Sequence, residues 1–228
     1  MKLYSVDLSP YSSKVRMQVY AKGLDHIAIE RPAGFLTPTW RETSPSRIGR
    51  LPMLELDDGQ VIPESEVIAE YLEEIYPEPR LLGATPAESA TIRALVHVAD
   101  LYLTTNIFAM TGGSGAPLRQ GPVRDRAVAG LMRGIESLEQ MIGGEGGFAC
   151  LGRLTLADCA LVPALFMVEN VLPATDTANP IPANPKIAAY WAAIQAAPPA
   201  ARVLAEMRRG LEARIEAVRR AAEVATTG

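Results

Sequence analysis

Four short stretches of this 228-residue sequence carry residue types at spacings that could do chemistry. The first is Ser9-Pro10-Tyr11-Ser12-Ser13, which follows the strand-like Leu3-Tyr4-Ser5-Val6. Serine before proline is a common helix start, with Ser9 at the N-cap and Pro10 at the first helical position. The same arrangement gathers hydroxyls at the positive end of a helix, where they can hold an anion or keep a thiol ionised. A free thiol titrates near ~8.5, and lowering it by two units takes about 2.7 kcal/mol, within reach of a charge-assisted hydrogen bond plus a helix terminus. Capping and thiolate stabilisation both fit these residues.

The second stretch is Leu51-Pro52 at the head of an alternating strand. Proline there lacks an N–H for the ladder. A trans bond makes it an ordinary strand start; a cis bond would leave the Leu51 backbone free for an extended, peptide-like ligand. The third is Glu64-Ser65. With Ser65 at a helix N-cap, its hydroxyl and the neighbouring N–H groups suit a carboxylate, and Glu64 suits an ammonium. Together they describe a socket for an α-amino-acid end, or a plain cap beside an exposed acid. The fourth, Thr155-Leu156-Ala157-Asp158, has the spacing of a capping box and is read as structural.

The elements that must position these residues are legible from period and punctuation. Residues 2–6 read as a strand, 10–22 as a helix closed by Gly23, and 27–29 as a second strand, so the first two strands run parallel. Residues 35–49 read as loop with at most a short helix. A hairpin follows, with strand 52–56, a turn at Asp57-Asp58-Gly59-Gln60 and a return at Val61-Ile62. Residues 65–76 form a helix with Val67, Ile68, Tyr71, Leu72 and Ile75 on one stripe. The order βαβ–ββα predicts a mixed four-stranded sheet over residues 1–77. Pro77-Glu78-Pro79 opens a linker, 78–85, and residues 86–228 read as helices only: 86–110, 123–142, 156–169, 186–196 and 200–224. Glycine clusters at 112–115 and 143–147 separate them.

Bulk properties narrow the classes. Apolar residues are 48% and charged residues 21%, with a net charge of -4, which disfavours nucleic acid or an anionic membrane as partner. No apolar run approaches the roughly 20 residues that cross a bilayer, and Asp7 interrupts any signal-peptide apolar region. Two cysteines and two histidines make neither a disulfide scaffold nor a protein-bound metal site, so a cytoplasmic location without metal is expected. Cys159 reads as a buried small hydrophobe and Cys150 as a loop thiol. Arginines at 208, 209, 214, 219 and 220, interleaved with Glu206, Glu212, Glu216 and Glu223, read as a solvated helix face.

Taken in order, Ser9-Pro10-Tyr11 with Lys14-Val15-Arg16, Gly49-Arg50-Leu51-Pro52, Glu64-Ser65 with its helix, the proline linker and Thr155-Leu156-Ala157-Asp158 resemble the soluble glutathione transferase superfamily over nearly the whole chain. The resemblance implies a thioredoxin-like N-terminal domain, an all-helical C-terminal domain, a homodimer and a cis bond before Pro52. It implies that Leu51 pairs its backbone with the cysteinyl part of glutathione, and that Glu64 and Ser65 hold the γ-glutamyl amino and carboxylate groups. Aligning Lys14-Val15-Arg16 with the serine-type, bacterial-like classes puts the thiol-activating hydroxyl at Ser9, with Tyr11 and Ser12 as alternates. The segment Ser44-Pro45-Ser46-Arg47-Ile48-Gly49 departs from the family spacing, leaving Arg41, Arg47 and Arg50 as candidates for the glycine carboxylate.

The activity so implied is a detoxifying transferase, in which glutathione thiolate attacks a small apolar electrophile. Tyr11, Tyr102, Asn106 and Met110 are the substrate-side candidates. The last three share a helix face at i, i+4 and i+8, although helix or dimer packing would place them equally well. The same thiolate suits a cis–trans isomerase of the maleylacetoacetate type, or cleavage of an ether or carbon–halogen bond. A non-catalytic binding or interaction protein is the alternative of another class.

Overall fold

A computed structural model describes residues 1–35, 37–111, 117, 118 and 120–227 of the chain. It opens with β1 (Lys2–Tyr4), α1 (Pro10–Ala21) and β2 (Ala28–Glu30), with β1 and β2 parallel. Pro10 is the first helical residue, Ser9 the N-cap, and Gly23 takes the left-handed φ of 65° that closes the helix. The segment before the hairpin holds one short helix, α2 (Trp40–Thr43). The hairpin is β3 (Met53–Glu55) and β4 (Val61–Pro63), and α3 (Ser65–Ile75) follows. The sheet order is β2-β1-β3-β4, with β3 antiparallel to both neighbours. This is the expected mixed sheet.

Leu3 and Leu54 from the sheet pack with Val15 and Val19 of α1 and Ile68 and Leu72 of α3. Burial of a side chain of this size contributes ~1.5–3 kcal/mol. The expected stripe on α3 is corrected: Ile68, Ala69 and Leu72 are buried, whereas Val67 and Ile75 are exposed. The sheet accepts only a narrow i, i+4 row, and Val67 lies 100° off it. Met17, on the other side of α1, joins the core of the helical domain. Thus α1 is buried on two faces and touches both halves.

The helical domain comprises α4 (Pro86–His97), α5 (Thr105–Thr111), α6 (Pro122–Met141), α7 (Leu156–Asn170), α8 (Pro185–Ile194) and α9 (Pro198–Thr227). The single helix expected over 86–110 is interrupted. Val98–Thr104 forms a wider turn in which the Thr105 N–H reaches the Asp100 carbonyl, one residue beyond the α-helical partner. α6 approaches this turn through two glycines: a Cβ at Gly134 would lie 2.6 Å from Tyr102 Cβ, and one at Gly130 would lie 2.7 Å from Asn106 Oδ1. α7 is buried from Leu156 to Val168 and forms the domain's axis. At its start Asp158 accepts from the N–H groups of Ala149 and Thr155, both at 2.8 Å, and from Thr155 Oγ1 at 3.0 Å. Cys159 is buried in α7 and Cys150 lies in the loop before it, as expected, and both thiols are buried and free. The glycine-rich run at 112–115 lies outside the described residues.

Candidate active site

Strand register brings three of the four stretches to one end of the sheet. Tyr4, the last residue of β1, is opposite Met53, the first of β3, which is opposite Pro63, the last of β4. The segment leading to Ser9 leaves this row from β1, Leu51-Pro52 enters it at β3, and Glu64-Ser65 leaves it from β4. The Leu51–Pro52 peptide bond is cis. Two inter-strand steps from β1 to β4 span about 10 Å, and three extended residues also span about 10 Å. The edge therefore has the length of a tripeptide.

Each stretch is shaped locally. Ser9, half-buried, accepts from the Ser12 N–H through Oγ at 3.3 Å, and its own N–H donates to the Val6 carbonyl at 3.2 Å. Glu64, not Ser65, occupies the N-cap of α3, with φ 71°, and Ser65 is the first helical residue; this corrects the expected cap. A positive φ is uncommon outside glycine and recurs at ligand sites. Here it turns the chain sharply from β4 into α3, and Glu64 is left exposed with no side-chain bond to the cap.

The three candidate hydroxyls have different surroundings. Ser12 is fully buried, and its Oγ has no partner among the described residues. Tyr11 turns toward the helical domain: its hydroxyl lies 3.3 Å from Thr105 Oγ1 and 3.4 Å from the Asp100 carbonyl, and its ring stacks on Phe108 at 5.9 Å. Burial raises the Tyr11 pKa, with Thr105 pulling against it, so the phenol stays protonated at neutral pH. Ser9 is partly open.

A buried cluster sits beneath. Lys14, 1% exposed, donates to Asp100 at 2.8 Å and pairs with Glu66, the residue after Ser65. Burial lowers the Lys14 pKa, but the two carboxylates more than offset it, so the ammonium is held above its ordinary value. Burial raises the Asp100 pKa, and Lys14 restrains the rise. One cation thus ties α1, the start of α3 and the wide turn after α4.

Among the remaining candidates, Arg41, Arg47 and Arg50 are exposed, and Arg50 lies near enough to Tyr11 to favour its ionised form. Tyr102 is half-exposed beside Gly134. Asn106 donates to the Tyr102 carbonyl at 2.6 Å and abuts Gly130, and Met110 is fully buried in the core. Met110 therefore belongs to the helix packing, which corrects its place on the shared substrate face, while Asn106 is partly exposed at the seam with α6. Sequence reasoning missed Thr105 and Phe108, which flank Tyr11, and the buried roles of Lys14 and Arg16. Charges at 14 and 16 alternating with apolar 15, 17 and 19 were the available signal.

Comparison with known proteins bears on the fold and the family. Residues 3–80 match the family model for the glutathione S-transferase N-terminal domain, and residues 121–193 match that for the C-terminal domain. A maleylacetoacetate isomerase of Pseudomonas aeruginosa is 31% identical over 213 residues, covering 88% of this chain and 96% of that protein. A glutathione S-transferase of Pseudomonas putida is 30% identical over 163 residues, covering 69% and 70%. The crystal structure of a glutathione S-transferase from Methylobacillus flagellatus, with glutathione bound, superposes with a TM-score of 0.73 at 22% identity, over 89% of this chain and 98% of that one. Two consecutive family domains and a full-length relative show that the chain belongs to the soluble glutathione transferase superfamily.

Proposed function

We propose that this glutathione transferase lays reduced glutathione along the β1–β3–β4 end of its sheet, ionises the thiol with Ser9, and directs it at a small apolar electrophile. The observation that supports the reading is the register row Tyr4–Met53–Pro63, from which the segments carrying Ser9, the cis Leu51–Pro52 bond and Glu64-Ser65 lead off at one end of the sheet. Glu64 and Ser65 receive the γ-glutamyl ammonium and carboxylate, the latter at the N-terminus of α3. Leu51 precedes the β3 ladder and offers its backbone to the cysteinyl residue. Ser9 then stands nearest the sulfur, with Arg50, Arg41 and Arg47 on the glycine side.

Ser9 is favoured over its alternates on exposure and on bonding. Ser12 is sealed from solvent, and the Tyr11 hydroxyl is committed to Asp100 and Thr105. Tyr11, Tyr102, Thr105 and Phe108 form the electrophile side. The chemical step needs no further catalyst than an ionised nucleophile and a held partner: the thiolate forms a carbon–sulfur bond, and the electrophile's leaving group departs or its double bond takes up a proton.

The full-length similarity to a maleylacetoacetate isomerase favours a second use of the same thiolate. It adds to a cis double bond, the new single bond rotates, and the thiolate is expelled to leave the trans isomer. The protein is read as a cytoplasmic homodimer. Val67 and Leu101 support the dimer, since both are large, apolar and exposed, and each follows a carboxylate residue that meets Lys14. No helix among the described residues is long and apolar enough to cross a membrane.

The test is retention on immobilised glutathione together with turnover of 1-chloro-2,4-dinitrobenzene and of a cis-enone diacid. Ser9→Ala should lower turnover sharply while leaving glutathione affinity nearly unchanged. Retention with no turnover of either compound would leave a binding protein, and unchanged turnover in Ser9→Ala would move the role to Tyr11 or Ser12.

A further inference from the structure

The last helix reaches back to the segment that carries Ser9. Arg16, buried in α1, spreads its guanidinium under residues 5–7. Nη1 donates to Ser5 Oγ at 2.5 Å and to the Val6 carbonyl at 2.9 Å, and Nη2 donates to the Asp7 carbonyl at 2.9 Å and to Ser13 Oγ at 2.8 Å. The remaining nitrogen, Nε, lies 2.8 Å from Glu206 Oε2 of α9. Both atoms are buried and make no hydrogen bond to a described residue, so Nε and Oε2 are held together as an ion pair. The second oxygen of Glu206 accepts from the Tyr20 hydroxyl at 2.7 Å and lies 3.9 Å from Arg202, whose guanidinium covers the Tyr20 ring at 3.7 Å. Glu206 is therefore not on a solvated face, as its charged neighbours suggested, but is locked to α1.

One turn further, α9 touches the same segment with its backbone. A Cβ at Gly210 would lie 2.7 Å from the Leu8 nitrogen and 2.9 Å from Asp7 Cβ, and Arg209 pairs with Asp7 at 3.7 Å. Glycine weakens a helix interior relative to alanine, and this one makes no turn, so close approach explains it. Residues 5–8 are thus held from below by Arg16 and from the side by α9, directly upstream of the Ser9 N-cap.

We propose that Glu206 and Gly210 are positioning residues for thiol activation: through Arg16 and by direct contact they fix residues 5–8, and so set where Ser9 Oγ meets the sulfur. The inference rests on the reading of Ser9 as the sulfur's hydrogen-bond donor. It makes chemistry in the N-terminal domain depend on the final helix of the other domain.

The test uses the full chain. Gly210→Ala, Glu206→Gln, Ser9→Ala and the double variant Ser9→Ala/Gly210→Ala are each saturated with glutathione. The ultraviolet absorbance of the bound thiolate is followed against pH, with glutathione affinity from calorimetry. Gly210→Ala should move the thiol's titration upward by about half to one unit, a roughly three- to tenfold loss of thiolate below its midpoint, with affinity within about twofold. Glu206→Gln should move it the same way, and it carries the test if Gly210→Ala does not fold. In the Ser9→Ala background Gly210→Ala should add nothing. A Gly210→Ala or Glu206→Gln protein that melts lower yet keeps the wild-type titration overturns the inference while leaving Ser9 in place. So does a Gly210→Ala shift that persists without Ser9. If Ser9→Ala alone leaves the titration unmoved, the reading beneath falls first and takes the inference with it.

Discussion

Replacing Lys14 by methionine removes one charge from the cluster that joins α1, α3 and the wide turn, while keeping an unbranched stem of similar length. Lys14 is 1% exposed, whereas Glu66 and Asp100 are 29% and 16% exposed. Stripping one partner from a buried pair costs about 3–5 kcal/mol. Partial hydration of the two acids recovers some of this, so about 2–4 kcal/mol remains. In a protein of this size each kcal/mol moves the melting temperature by about 2–4 °C, which gives a drop of roughly 5–15 °C.

The pH dependence of that drop has a definite sign. Burial already holds Asp100 above the ordinary carboxylate range, and Lys14 restrains it. Without Lys14 the folded-state pKa rises further above the unfolded value of 3.8. A raised carboxyl binds its proton more tightly in the folded state, so stability is lost as pH climbs from that value through the folded pKa. The deficit of Lys14→Met is therefore widest at neutral pH and narrows toward pH 4. Urea midpoints of both proteins at about pH 7.5 and pH 4.5 measure it. Equal midpoints at the higher pH, or a deficit just as large at the lower one, would refute the reasoning.

Three further substitutions separate binding from folding. In the proposed pose Ser65→Ala and Glu64→Gln would each remove a charge-assisted contact to the glutamyl end of glutathione, worth ~1.5–3 kcal/mol, so calorimetry should show affinity falling by about 10- to 100-fold with saturated turnover retained. Asp158→Ala strands the N–H groups of Ala149 and Thr155 at the head of the buried α7. It should lower stability by about 3–5 kcal/mol in a urea titration, while the folded fraction binds glutathione as before.

The strands, α1, α3 and the helical half were legible because each announces itself locally. Pro10 and Gly23 bracket α1, the Asp-Asp-Gly turn closes the hairpin, and apolar residues recur at helical spacing. That Ser9, Leu51-Pro52 and Glu64-Ser65 belong to one candidate site was implied by the family resemblance, and the strand register brings their segments to one end of the sheet. What escaped depends on partners distant in sequence. Nothing near Thr105 signals that its N–H skips to Asp100, and the tight seat beneath Tyr102 and Asn106 belongs to Gly130 and Gly134 of another helix. Met110 and a substrate-facing residue have the same local pattern, and only the packed core separates them. Lys14, Arg16 and Glu206 look like surface charges until the chain folds and each finds an opposite charge in a different element.

If Ser9 acts as proposed, glutathione bound here has an acidic thiol. Ultraviolet difference titration of glutathione on the wild-type protein and on Ser9→Ala reads that acidity directly. The wild-type midpoint should lie about two units below the ~8.5 of a free thiol and move back toward it when the Ser9 hydroxyl is removed. Bound glutathione that titrates like the free tripeptide, or equally in both proteins, would contradict the proposal.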